Sequence, residues 1–99
     1  MQNHAKVVII GGGVVGCSIL YHLSKFGLKD CILLERNELT SGSSWHAAGN
    51  VHVISSDPNI SRMMAYTIGL YKDIEKESGH SVGFKPSGGF YLASNEVWA

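Results

Sequence analysis

The chain has 99 residues, of which 44% are hydrophobic, and its eight basic side chains balance its eight acidic ones. A domain of this size can bury a modest core, and the hydrophobic share excludes an intrinsically disordered tail. With no basic surplus we expect no nucleic-acid partner. Since no apolar run approaches the roughly 20 residues that span a bilayer, we expect no membrane partner either.

The first third of the chain has the pattern of a strand, a helix and a second strand. Residues 6–10 form a short run that is rich in β-branched side chains, which predicts a buried parallel strand. Apolar residues at three- and four-residue spacing predict a helix over residues 14–26, which Gly27 ends in a left-handed conformation. Residues 31–34 predict a second parallel strand, so a βαβ unit is complete within residues 6–35.

Between the first strand and the helix the chain reads Gly-Gly-Gly-Val-Val-Gly. Gly11 permits the tight turn, Gly13 lets a pyrophosphate approach the backbone, and Gly16 lets the helix lie close to the strand. The amides of Val14 and Val15 at the start of the helix would then face the phosphates, aided by the helix dipole.

An acidic residue, Glu35, follows the last glycine of this motif by 19 positions and closes the second strand. It is suitably placed to accept hydrogen bonds from an adenosine ribose. Its charge opposes a 2′-phosphate, although the neighbouring Arg36 weakens that objection. The glycine loop, the two strands and the acid together predict a dinucleotide site, but they do not separate NAD from FAD.

Residues 40–49 read Thr-Ser-Gly-Ser-Ser-Trp-His-Ala-Ala-Gly and predict a short helix whose start is dense in hydroxyl groups. Such a turn can donate further hydrogen bonds to a pyrophosphate or a ribityl chain, each contributing roughly 1.5–3 kcal/mol. This second cradle favours a flavin dinucleotide over NAD. An ordinary Ser-rich loop is the alternative, and the spacing alone does not choose between them.

The second half of the chain predicts one long helix and two short strands. Asp57 as N-cap and Pro58 at the first helical position begin the helix, and Gly79 ends it. Residues 51–54 and 90–93 predict the strands. Cys17 and Cys31 form no CxxC pair, so we expect reduced thiols. The last residues lack the polar character usual at a natural terminus, and we expect an N-terminal fragment of a longer protein.

The glycine motif, Glu35-Arg36 and the run from Ser41 to Gly49 resemble the D-amino-acid-oxidase-like FAD-dependent oxidoreductases, nearest to the dimethylglycine and sarcosine dehydrogenase branch. The resemblance covers nearly all of the chain, and Trp-His-Ala-Ala-Gly at residues 45–49 is its most specific part. It implies an α/β fold with a Rossmann-like FAD-binding βαβ unit, truncated. Residues 1–80 would belong to the FAD-binding domain, and residues 81–99 would begin a strand segment of the substrate domain.

In that branch the histidine that matches His46 is bonded covalently to a ring methyl of the flavin. The resemblance therefore implies that His46 is a flavin attachment site. It also implies cofactor contacts from the residues around it in this run, namely Gly42, Ser43, Ser44, Ala47 and Gly49.

The resemblance implies oxidation of an N-methylated glycine or a similar amine by hydride transfer to FAD. Electrons would pass to an electron-transfer flavoprotein or to oxygen, and the one-carbon unit to tetrahydrofolate. We expect a cytoplasmic enzyme, or a matrix enzyme in mitochondria. We assign no catalytic residue and no metal ligand within these 99 residues, and expect the chain alone to be inactive. The alternatives are a noncovalent D-amino-acid or glycerol-phosphate dehydrogenase, and a nucleotide-binding module without catalysis.

Overall fold

The computed structural model describes residues 3–53, 55–90 and 92. Their elements, in chain order, are strand β1 (Val7–Ile10), helix α1 (Val14–Lys25), strand β2 (Cys31–Leu34), a 3-10 turn (Ser43–His46) and helix α2 (Pro58–Ser78). The chain divides into two compact units, Met1–Gly49 and Asn50–Ala99. The first unit contains the two strands, α1 and the 3-10 turn, and the second contains α2.

The first unit is built on a pair of parallel strands. Val7 pairs with Cys31, and the register continues to the pair of Ile10 with Leu34. Helix α1 connects the two strands and contacts both of them, and Ile9 at the centre of β1 is buried. This arrangement confirms the predicted α/β fold class with its Rossmann-like βαβ unit. The strand begins one residue later than predicted, and the helix ends one residue earlier.

Helix α1 ends as the sequence predicts, in a left-handed glycine. Gly27 has φ +88°, its N–H donates to the Ser24 carbonyl at 3.0 Å, and the Leu28 N–H donates to the Leu23 carbonyl at 3.0 Å. These two bonds form a Schellman motif, which satisfies carbonyls that the helix itself leaves free. The chain is thereby turned back towards β2.

Helix α2 in the second unit has the two ends that its sequence predicts. The Asp57 carboxylate accepts the N–H groups of Asn59 and Ile60 at 2.8 and 3.4 Å, and Pro58 occupies the first turn. Gly79, with φ +71°, donates its N–H to the Glu75 carbonyl at 3.0 Å. None of the helices within the described residues is both long enough and apolar enough to cross a bilayer.

The strand predicted for residues 51–54 is wrong over the three of these residues that the structure describes. Residues 51–53 are not in a strand, and residue 54 lies outside the described residues. An apolar run becomes a strand only when a partner strand supplies its hydrogen bonds, and the sequence pattern does not provide that partner. The strand predicted for residues 90–93 falls partly on residues 91 and 93, which also lie outside the described set. The domain bounds, 1–80 and 81–99, stay a prediction.

Candidate nucleotide-binding site

The glycine loop between β1 and α1 is shaped by its first and last glycines. Gly11 has φ +110°, a conformation that side chains rarely adopt, and its N–H donates to the Leu34 carbonyl at 2.8 Å. A Cβ on Gly16 would overlap the Gly11 carbonyl oxygen and would lie 3.4 Å from Ile9 Cγ2. The turn and the close approach of helix to strand therefore both depend on glycine.

The amino terminus of α1 meets the hydroxyl group of Ser44. The Val14 N–H donates to Ser44 Oγ at 2.8 Å, and a Cβ on Gly13 would lie 3.1 Å from the same oxygen. Gly13 is the N-cap residue and has no side chain to cap the helix. Ser44 thus supplies, from 30 residues away, an oxygen at the place where a helix terminus attracts anions.

The Glu35 carboxylate lies over the loop and is held by two backbone N–H groups. Oε1 accepts from Gly12 N at 3.0 Å, and Oε2 accepts from Asn37 N at 2.9 Å. The Asn37 bond, followed by the Gly12 bond, lowers the pKa of Glu35, and partial burial opposes them only in part. The charge of Arg36 also acts to lower the pKa. The side chain is therefore an ionised, oriented hydrogen-bond acceptor beside the loop.

The hydroxyl-rich segment forms one 3-10 turn, Ser43–His46, which is shorter than a full helix. His46 is exposed, and its Nδ1 lies 2.9 Å from the Gly42 carbonyl oxygen. Because a carbonyl only accepts, Nδ1 is the donor of this hydrogen bond, and in the neutral ring the lone pair then lies on Nε2. The Trp45 ring packs against the imidazole, with centroids 4.2 Å apart. Ala47 then leaves the turn in an extended conformation.

The structure brings some of the predicted residues together and leaves others at the edge of the site. Glu35 contacts the loop at Gly12, whereas Ser44 contacts the start of α1 at Val14 and lies beside Gly13. The Val15 side chain is 69% exposed. Five more predicted residues are exposed along the segment that follows β2, namely Arg36, Gly42, Ser43, Ala47 and Gly49.

Three residues of this site were not predicted. Gly12 is buried, and its carbonyl accepts the Thr40 N–H at 2.9 Å. A Cβ on Gly12 would lie 2.6 Å from Leu39 Cδ2. Thr40 has φ +63°, unusual for a β-branched residue. The available signal was the run of three glycines, since a dinucleotide motif requires only the first and third of them.

The described residues contain no group of three or more histidine, cysteine or acidic side chains that could hold a metal ion. Cys17 and Cys31 are free thiols.

Known proteins that resemble this chain were found by a family model and by sequence identity. The family model described as FAD dependent oxidoreductase matches residues 6–99. The mitochondrial dimethylglycine dehydrogenase of Homo sapiens is 46% identical over 96 residues, which are 97% of this chain and 11% of that protein. The mitochondrial sarcosine dehydrogenase of Mus musculus is 42% identical over 97 residues, again 97% of this chain and 11% of the relative.

A bacterial relative extends the comparison. The formaldehyde-forming 4-methylaminobutanoate oxidase of Paenarthrobacter nicotinovorans is 40% identical over 93 residues, which are 94% of this chain and 11% of that protein. The chain therefore spans about a ninth of the length of these three relatives.

Proposed function

Since the chain belongs to the family of FAD-dependent oxidoreductases, we propose that its protein oxidises dimethylglycine, sarcosine or a similar N-methylated amine. Two of the relatives above are named for dimethylglycine and sarcosine, and the third for another methylamino acid. Bound FAD would supply the acceptor for a hydride from the carbon next to the amine nitrogen. The residues of this chain would hold the adenosine diphosphate half of that cofactor.

One arrangement carries this proposal: the α1 amino terminus, the Ser44 hydroxyl and the Glu35 carboxylate surround a single glycine loop. The Ser44 oxygen accepts the Val14 N–H, and its hydroxyl proton, like the other N–H groups at the start of α1, is a donor suited to a phosphate oxygen. Gly13 has no side chain that would crowd the Ser44 oxygen. Glu35 is an ionised acceptor suited to ribose hydroxyls. The donor and acceptor types therefore fit a dinucleotide. Further contacts would come from Gly11, Val14, Val15, Gly16, Arg36, Gly42, Ser43, Ala47 and Gly49.

We assign covalent attachment of the flavin to His46. Nδ1 donates its proton to the Gly42 carbonyl at 2.9 Å, so in the neutral imidazole Nε2 is the nitrogen with an available electron pair. When FAD is bound, Nε2 would form a C–N bond to a ring methyl carbon; the methyl carbon and Nδ1 would each lose one proton, and these two protons with two electrons would reduce dioxygen, the external oxidant, to hydrogen peroxide. The exposure of His46 supports access to a ligand.

Parts of the reaction would depend on residues other than these 99. Binding of the amine, transfer of electrons to an electron-transfer flavoprotein, and transfer of a one-carbon unit to tetrahydrofolate are assigned to the remainder of a longer protein. We propose that this chain alone is inactive. The names of two relatives support a mitochondrial location in a eukaryote, and a bacterial protein would be cytoplasmic.

The test is the flavin content of the protein expressed from its complete gene. After acid precipitation, flavin fluorescence should stay with the wild-type protein and with His52→Ala, a control at another exposed histidine. It should be released from His46→Ala. Release from the wild type would favour the noncovalent alternatives, and the absence of any flavin would favour a module without catalysis.

The substrate class is tested separately. Dimethylglycine and sarcosine should reduce an artificial dye in the presence of the wild-type protein, whereas D-alanine and glycerol 3-phosphate should not. Faster reduction with either of the last two would contradict the assignment to N-methylated amines.

A further inference from the structure

We propose that Gly12 is a positioning residue that couples the Glu35 carboxylate to the phosphate loop and so sets the affinity for the adenosine half of the cofactor. The dinucleotide motif leaves this middle position open to other residues. The inference rests on the proposed function, because it concerns the same nucleotide site.

Both polar groups of the Gly12 backbone are engaged by residues outside the loop. Its N–H donates to Glu35 Oε1 at 3.0 Å, and its carbonyl accepts the Thr40 N–H at 2.9 Å. The Cys17 thiol lies 3.6 Å from the same carbonyl. Gly12 is therefore the point at which the loop is tied to the end of β2 and to the segment that leads to the 3-10 turn.

Neighbouring side chains also leave little space for a Cβ atom on Gly12. A Cβ there would lie 2.6 Å from Leu39 Cδ2, and 3.0 and 3.1 Å from Cβ and Cγ of Glu35. The Leu39 methyl is the far end of a flexible side chain and can rotate away. The Glu35 Cβ cannot, because it is attached to the backbone directly after Leu34, whose carbonyl accepts the Gly11 N–H at 2.8 Å.

A side chain at position 12 must therefore displace the stem of Glu35. The displacement would lengthen the bond from Gly12 N to Oε1 and would turn the carboxylate away from its present orientation. The carboxylate is the group assigned to the ribose, whereas the phosphates are assigned to α1 and Ser44. Affinity for a ligand that contains ribose should consequently fall, and affinity for a bare diphosphate should not.

The experiment compares two probes on the apoprotein, produced from its complete gene in a host starved of riboflavin. Calorimetric titration measures the dissociation constants of ADP and of inorganic pyrophosphate. Gly12→Ala should weaken ADP binding about tenfold, in line with one impaired charge-assisted hydrogen bond. Pyrophosphate binding should stay within about twofold of the wild type. Gly89→Ala, at a glycine where a Cβ meets nothing within 4 Å, is the control and should change neither constant.

A double-mutant cycle shows whether the effect passes through Glu35. In a Glu35→Ala background, Gly12→Ala should change ADP affinity by less than about twofold, because the carboxylate whose position it shifts is already absent. An equal loss in both backgrounds, an equal loss for pyrophosphate, or unchanged ADP binding in the Gly12→Ala variant would overturn the coupling.

Two other results need their own interpretation: a Gly12→Ala variant that does not fold, and a wild-type apoprotein that does not bind ADP. If Gly12→Ala fails to fold, Gly12→Ala combined with Leu39→Ala removes the tightest contact and carries the test, with Leu39→Ala alone as its reference. Wild-type ADP affinity in that double variant would refute the inference. Failure of the wild-type apoprotein to bind ADP would refute the nucleotide site itself, and with it the proposed function.

Discussion

Replacing Gly16 by alanine tests how closely α1 must approach β1. A Cβ at this position would overlap the Gly11 carbonyl oxygen and would lie 3.1 Å from the Gly11 carbonyl carbon. Both atoms belong to the backbone, so no side-chain rotation can make room. The helix would have to move away from the strand, and the loop between them would change shape.

The expected cost is the difference between two opposing terms. Alanine in a helix interior is favoured over glycine by roughly 1 kcal/mol. Over-packing costs about 1–3 kcal/mol, and overlap with backbone belongs at the upper end of that range. We therefore expect Gly16→Ala to destabilise the protein by about 2 kcal/mol. Gly69→Ala in α2 is the matched control, because a Cβ there meets nothing within 4 Å; it should stabilise by roughly 1 kcal/mol.

The assay is urea unfolding of the protein expressed from its complete gene, together with its flavin content after purification. Gly16→Ala should unfold at lower urea and retain less flavin than the wild type, whereas Gly69→Ala should not. A Gly16→Ala variant with wild-type stability and full flavin content would refute the argument that backbone contact requires glycine here.

Three further outcomes follow from the caps and from the charge at the loop. Asp57→Ala should lower the stability of α2 by about 1 kcal/mol in urea unfolding, and Asp57→Asn, which keeps an acceptor oxygen, should restore it. Gly79→Ala, forced to φ +71°, should cost about 1–2 kcal/mol by the same measurement, and a neutral effect would contradict the left-handed assignment. The N–H groups of Asn37 and Gly12 hold the pKa of Glu35 below 4.5 in the folded protein, so the stability that it contributes is complete above that pH and is lost as the pH falls through the lowered value. Unfolding midpoints measured down to acid pH should show this loss in the wild type and less of it in Glu35→Gln.

The elements that the sequence predicts well are those whose signals are local. Asp57 with Pro58 marks the start of α2, and Gly27 and Gly79 mark the ends of the two helices, because each acts on atoms within one turn. The strand predicted over residues 51–54 failed at residues 51–53 because strand formation depends on a distant partner.

In the candidate site, too, the sequence predicts the local features but not the contacts between residues that are distant in the chain. The glycine motif predicts the conformation of Gly11 and the close packing of Gly16, since both follow from the strand-turn-helix geometry. The bond from Val14 to Ser44 joins residues 30 positions apart, and it depends on the irregular path of the chain between the end of β2 and the 3-10 turn. The left-handed Thr40 on that path is a conformation that propensity alone argues against.

The first unit, Met1–Gly49, is compact by itself, which bears on how it folds during translation. All of the contacts described for the candidate nucleotide site join residues within Met1–Gly49, and the bond from Gly12 to Glu35 closes a separation of only 23 positions. Contacts of short sequence separation form early, and a growing polypeptide folds from its N-terminal side as it leaves the ribosome. We therefore expect the contacts around the glycine loop to form while residues 50–99 are still being translated.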